Sequence, residues 1–195
     1  AKVLMPKDYI NFMLTGALAT DYSEASCYFL MDSETRAWSS QACETFGLRV
    51  DQLPDLKLSS DIIGQVTPRA AGLTGLPPGI PVVAGTSDMA ASLLGSGVYE
   101  PGMASDSTGT STLITVVSPR PLRHPLVNNL HLANAAWGGF TILDAGGDAV
   151  RWARLAIADN QITHPQLLQE AAAVPAGAEG LLFLPYLTGE RLAEH

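Results

Sequence analysis

The chain has 195 residues, 47% of them hydrophobic and 15% charged, the make-up of a soluble globular chain long enough for one large or two small domains. Its 19 Asp and Glu outnumber its 11 Lys and Arg, for a formal charge of −8, which argues against a nucleic-acid partner, since phosphates need a basic face. Cys27 and Cys43 form no CxxC pair and fit buried, reduced thiols in a cytoplasmic protein; no signal peptide is visible and no apolar run reaches the ~18 residues of a membrane span.

Leu4, Ile10, Phe12, Met13 and Leu14 predict a short helix that ends near Thr15, with Gly16 as its C-terminal cap. Asp21 followed by Glu24 is a helix-start signal, and capping is preferred over a role for Asp21 at a ligand. Trp38 to Phe46 reads as a helix capped by Ser39 or Ser40 and ended by Gly47, with Trp38 and Phe46 in the core. Asp51 to Gly64 reads as loop. Thr67-Pro68 starts a helix closed by Gly75.

Pro81 to Thr112 organises the rest. Pro81 to Ala84 is a short apolar strand, Gly85 to Asp88 a tight polar turn, and Met89 to Leu94 a helix, so Asp88 falls at a strand-to-helix turn. Ser105 to Ser111 is a second polar turn, dense in hydroxyls. By themselves, Asp88 reads as an Asx-turn or cap and the second turn as a hairpin tip. Together they supply a carboxylate that accepts a proton and donors for phosphate oxygens, the parts of a phosphotransferase.

Further strands are predicted at Met103 to Ser107, Ser111 to Val117, Leu130 to Ala136 and Phe140 to Leu143, with a hairpin at Trp137-Gly138-Gly139. A Gly-rich turn at Asp144 to Asp148 opens a helix, Ala149 to Ala158, with Trp152 and Leu155 on its buried side. Asp148 brings negative charge there, which would repel phosphate unless a metal or Arg151 offsets it. His164 to Val174 is another helix and Leu181 to Leu184 a buried strand. His124, His131, His164 and His195 show no metal-ligand spacing, and His131 reads as a satisfied strand histidine.

The blocks Pro6-Lys7-Asp8-Tyr9 with Leu14-Thr15-Gly16, Thr20 to Ser23 with Ala25-Ser26, Pro81 to Gly102, Ser107 to Ser111, Ala145 to Trp152 and Gly180 to Arg191 carry a resemblance in their order. The chain resembles the FGGY carbohydrate kinases, in their xylulokinase-like branch. The resemblance implies an α/β, ribonuclease H-like (actin-like ATPase) fold, with residues 1–99 the end of a first domain and 100–195 the start of a second. It implies ATP-dependent phosphorylation of a sugar hydroxyl with Mg²⁺. Asp88 would be the general base, Asp88 and Met89 would face the sugar, and Gly109, Thr110, Gly146, Gly147 and Arg151 would face the nucleotide, with no protein metal ligand. Which of Gly146 and Gly147 holds the aligned role stays open. Met89 stands where the family often has Asn or Gln, so no sugar is named.

The family's DxGTxS loop does not occur before Lys7, nor its adenosine motif after Arg191, and Leu192 to His195 departs from the family pattern. The expectation is a piece of a longer kinase that turns over poorly by itself. Such a piece exposes apolar surface, which leaves a homodimer open. Two other readings remain: an inactive kinase-derived sugar-binding or regulatory module, and a chaperone-type actin-like ATPase.

Overall fold

Helix α1 (Pro6–Thr15) opens the ordered structure, with Pro6 at a position whose N–H has no helical partner anyway and Gly16 closing it at φ 79°. The computed structural model describes residues 1–157 and 161–189. The predicted helix end at Ala158, Glu190-Arg191 of the last motif block and His195 lie outside the described residues.

Strand β1 (Ala19–Asp21) runs directly into helix α2 (Tyr22–Cys27), whose first N–H groups are capped by Asp21. Helix α3 (Ser40–Thr45) is capped by Ser39. The segment read as loop holds two strands, β2 (Asp55–Lys57) and β3 (Ile62–Gln65). Each is too short to show alternation, and each takes its partner from elsewhere: β2 pairs parallel with β1, and β3 antiparallel with β4 (Pro81–Val83). Helix α4 (Pro68–Thr74) is bounded by Thr67 and Gly75 as predicted, and α5 (Asp88–Gly95) follows β4.

Leu30, Cys43 and Leu53 form a buried cluster with Tyr28, Trp38, Ala42 and Leu48 against it. Trp38 donates its indole N–H to Pro54 O at 2.9 Å, so its polar edge is satisfied inside the cluster. Phe46 was expected beside it, but at 66% exposure it lies outside the core. It is the residue that ends α3, where the chain turns away at Gly47. Cys43 is buried and Cys27 exposed, and both are free thiols. Cys27, expected buried, is exposed as a residue, but its sulfur lies part-buried against Ser23 O, and this desolvation, then the nearby charge of Glu24, pushes the thiol up to about 11.

Strands β5 (Ala104–Thr108), β6 (Thr112–Ser118), β7 (Asn128–His131) and β8 (Trp137–Leu143) form a sheet in the order β5-β6-β8-β7. The β7–β8 turn falls at Leu132 to Ala136, with Ala135 at φ 66°, and not at Trp137-Gly138-Gly139. The two glycines sit within β8, where a Cβ at Gly139 would collide with Leu122. Helix α6 (Gly146–Ala156) begins three residues earlier than predicted. Its Trp152 and Leu155 are 41% and 46% exposed, and Trp152 stacks on Phe183 with ring centres 5.8 Å apart. Helix α7 (His164–Ala172) follows, capped by Thr163. Leu181 to Leu184 is not a strand. These residues are 50–88% exposed, and among the described residues no strand pairs with them. An apolar run becomes a buried strand only where a neighbour receives it.

The chain divides into two units. The first comprises Ala1–Ala104 and Val116–Gly139; the second comprises Ser105–Thr115 and the segment from Phe140 onward. Among the described residues no helix is long and apolar enough to cross a membrane.

Candidate active site

Asp88 is the first residue of α5 and is exposed, with Ser87 buried behind it. Its Oδ1 accepts the Met89 N–H at 2.6 Å, and Met89 itself is half-buried. The turn that presents Asp88 is fixed from behind. Ala84 is fully buried, and its carbonyl accepts from Lys7 Nζ at 2.8 Å and Asn11 Nδ2 at 2.8 Å. Ala84 N–H donates to Asp61 O, and Gly85 N–H to Ser59 O. Gly85 holds φ 78°, a left-handed conformation that suits glycine.

Lys7 is the hub. Its ammonium also meets Asp8 at 2.7 Å and Asp21 at 3.3 Å, both fully buried carboxylates. Buried charge persists only when paired and hydrogen-bonded, and here every partner is present. Asp21 Oδ2 accepts from Ser23 N–H, Ser23 Oγ at 2.6 Å and Ser59 Oγ at 2.9 Å. Ser23 Oγ accepts the Ser87 N–H at 2.7 Å and lies 2.8 Å from Thr86 Oγ1. The Lys7–Asp21 ion pair, continued by hydrogen bonds through Ser23, therefore connects Lys7 to the residue before Asp88.

The predicted capping role of Asp21 is thus real but is half of its work. Ser23, Ser59, Thr86 and the lysine–carboxylate pairing escaped the sequence reading. Their local signals are those of a cap and a turn, and their partners lie up to 77 residues away. Glu24 borders the network. Burial raises its carboxyl above the ordinary range, Lys7 opposes this, and the charges of Asp8, Asp21 and Asp88 push it further up.

In the second unit the turn between β5 and β6 carries Gly109 and Thr110, both exposed. Thr108 Oγ1 donates to Asp106 at 2.7 Å and lies 2.9 Å from Thr112 Oγ1, closing the base of the turn. The start of α6 clasps it: Gly147 N–H donates to Gly109 O at 3.0 Å and Asp148 N–H to Thr110 O at 3.1 Å. Both glycines are sterically demanded. A Cβ at Gly147 would overlap Gly109 O, and one at Gly146 would overlap Thr112 Oγ1 and lie 2.7 Å from Thr112 N. Two of the N–H groups at this helix start therefore bind the loop itself. Arg151 pairs with Asp148 at 3.0 Å, one helical turn along, which offsets the negative charge at the helix start. Among the described residues no three His, Cys, Asp or Glu side chains group as a metal site.

His131 is buried between Tyr22 and Trp137, with ring centres 5.3 and 5.1 Å away. Its backbone N–H reaches Ser26 Oγ at 3.2 Å. Its Nε2 has no partner among the described residues, so the expected satisfied histidine is buried but not fully hydrogen-bonded. Burial, and then the charge of Arg36, lowers it to about 4, which keeps the imidazole neutral.

The fold is ribonuclease H-like, the class of the actin-like ATPases. The crystal structure of a xylulose kinase from Rhodospirillum rubrum superposes with a TM-score of 0.91 at 32% identity, over 97% of this chain and 40% of that one. Residues 1–95 match the N-terminal domain model of the FGGY family of carbohydrate kinases, and the chain belongs to that family. A xylulose kinase of Bacillus subtilis (strain 168) is 34% identical over 195 residues, and an autoinducer-2 kinase of Yersinia enterocolitica is 35% identical over 190. The chain spans 39% of the length of the former and 36% of the latter.

Proposed function

We propose that this chain carries the general base and part of the phosphate-holding surface of an ATP-dependent carbohydrate kinase acting on a sugar or sugar-derived hydroxyl. The observation that carries the reading is Asp88: an exposed carboxylate at a helix start, on a turn locked by buried charge. A base must be held within hydrogen-bond reach of the proton it takes, and rigid backing achieves this. Asp88 accepts the proton of the attacking hydroxyl. Met89 stands beside it and offers the sugar an apolar side chain in place of an amide. The relatives named above act, by their names, on different substrates, so the sugar is not specified.

The residues of the second unit fit a nucleotide's phosphates. Gly109 places no side chain between backbone and ligand, Thr110 adds a hydroxyl, and Gly146 and Gly147 allow the helix start to brace this turn from behind. Arg151, tied to Asp148, contributes positive charge on the same helix. ATP would supply the phosphoryl group, and Mg²⁺, held largely by phosphate oxygens, would offset its charge. In this reading residues 1–99 and 100–195 belong to the family's first and second domains, the protein works in the cytoplasm on a small sugar and not on nucleic acid or a membrane, and a homodimer is one form it takes.

The test is ADP release over a panel of ketoses, aldoses and polyols, run on this chain and on the full reading frame that contains it, each with and without Asp88→Asn. The full frame should act on one sugar, and Asp88→Asn should lower kcat by about 10²–10⁴-fold, the usual worth of a general base. Full activity in the variant would sink the assignment.

A further inference from the structure

On the first unit, away from Asp88, a cavity of about 420 Å³ is lined by Glu34, Arg36, Arg120, Pro121, Arg123 and Trp137, among others. Three guanidinium groups thus share one cavity with a single carboxylate, in a chain whose net charge is −8. Arg123 pairs with Glu34. Among the described residues neither Arg36 nor Arg120 has an ion-pair partner, although acidic side chains outnumber basic ones across the chain. Arg36 and Arg120 face the same cavity and are available to an anion from outside.

Both loops that carry them are held by local hydrogen bonds. Arg36 sits at φ 53° on a hairpin tip, where Asp32 Oδ1 accepts the N–H groups of Glu34 and Thr35 at 2.8 Å each, and Arg36 N–H donates to Asp32 O at 2.8 Å. The left-handed backbone at a non-glycine residue is a strain maintained by these bonds. On the other wall the Asn129 side chain grips Leu122 twice, accepting its N–H at 2.7 Å and donating to its carbonyl at 2.9 Å, while Ser118 Oγ donates to Arg120 O. Ligand sites are preorganised in this way so that little ordering entropy is lost on binding.

We propose that this cavity is a binding site for a small organic phosphate carrying at least two negative charges, held by Arg36 and Arg120, with Glu34 competing for Arg123. Guanidinium forks match phosphate oxygens in pairs. The volume falls in the range of about 300–1,000 Å³ typical of small-molecule pockets. Pro121 and Trp137 offer apolar lining to the organic part. An extended polyanion is excluded by the negative charge of the rest of the chain. The site is independent of the kinase reading, since none of its residues belongs to the Asp88 network or the Gly109 turn.

The experiment is calorimetric titration of the intact chain with inorganic pyrophosphate as the probe, without divalent metal, at about 0.15 M salt, where screening removes weak surface attraction. One saturable site is expected. Arg36→Gln with Arg120→Gln should weaken it by about tenfold or more, because each lost charge-assisted hydrogen bond is worth on that order. Glu34→Gln should tighten it about threefold by releasing Arg123. Far-UV circular dichroism of the variants checks that they fold. Absence of saturable binding overturns the proposal. So does binding that survives the double arginine variant but falls with Arg151→Gln, which would place the probe at the Gly109 turn instead.

Discussion

The Asp88 turn and the Gly109 turn are both polar, both rich in small residues, and held by opposite means. The first is fixed largely by side chains: a partly buried lysine, two buried aspartates and a relay of serine hydroxyls brought from distant parts of the sequence. The second is fixed by backbone: two N–H groups of α6 on two carbonyls, at a distance that only glycine permits. The difference follows from what each turn presents. A turn that presents a carboxylate needs a rigid backing, supplied here by the charges paired behind it, whereas a turn that presents its own backbone needs closeness and no side chain in the way.

Replacing Lys7 breaks the first arrangement most severely. Lys7→Met leaves Asp8 and Asp21 buried without their cation, and removing one partner of a buried pair costs about 3–5 kcal/mol. Urea unfolding of the intact chain measures it. Adding Asp21→Asn to Lys7→Met should recover part of the loss, since one unpaired charge is then gone. A loss below about 1 kcal/mol, the worth of an exposed pair, would mean that the network does not hold the turn.

Acid is a second way to separate the two regions, because His131 lies in the first unit. Its folded value, about 4, is below the ordinary 6.5, so the folded protein resists the proton that the unfolded chain accepts. Stability from this residue is complete above pH 6.5 and falls as the pH drops from 6.5 toward 4. By about pH 5 the loss is on the order of 2 kcal/mol. Glu24 acts in the opposite sense: its folded value is raised, so its contribution is present at low pH and is lost as the pH rises through that value. His131→Phe isolates the histidine part. Unfolding midpoints near pH 7 and pH 5 should differ less in the variant than in the parent, and an unchanged difference would remove His131 as the cause.

What was legible in the sequence divides along the same line. Helix ends were readable because Gly16, Thr67, Gly75, Ser39 and Asp21 act within a few residues of themselves. Asp88 and the Gly109 turn were readable from motif order. The strands β2 and β3 were not, since strands this short carry no period and depend on β1 and β4 for partners. Leu181 to Leu184 misled for the converse reason: the run is apolar enough for burial, but hydrophobicity in a sequence does not name what will cover it. The Lys7–Asp21–Ser23 relay was visible only as a cap and a motif, because its geometry exists only after folding.

A last substitution tests the backbone clasp. Gly147→Ala adds one methyl group where the Gly109 carbonyl already stands, so either the Gly109–Thr112 turn or the first turn of α6 must give way. Overpacking of this kind costs about 1–3 kcal/mol. The result that matters is where the strain appears. Amide hydrogen exchange at residue 147 should accelerate, because its bond to Gly109 O lengthens, while exchange of the Ser87 N–H, bonded to Ser23 Oγ in the other unit, should not change. Gly72→Ala is the matched control. Gly72 lies inside α4 with no atom within 4 Å of the added Cβ, so the same substitution should stabilise by about 0.5–1 kcal/mol through helix propensity alone. Opposite signs from one chemical change would show that glycine at 147 is demanded by contact and not by backbone freedom. Equal signs would mean that the clasp yields at no cost, and the second turn would then lack the rigid backing that a phosphate-holding role requires.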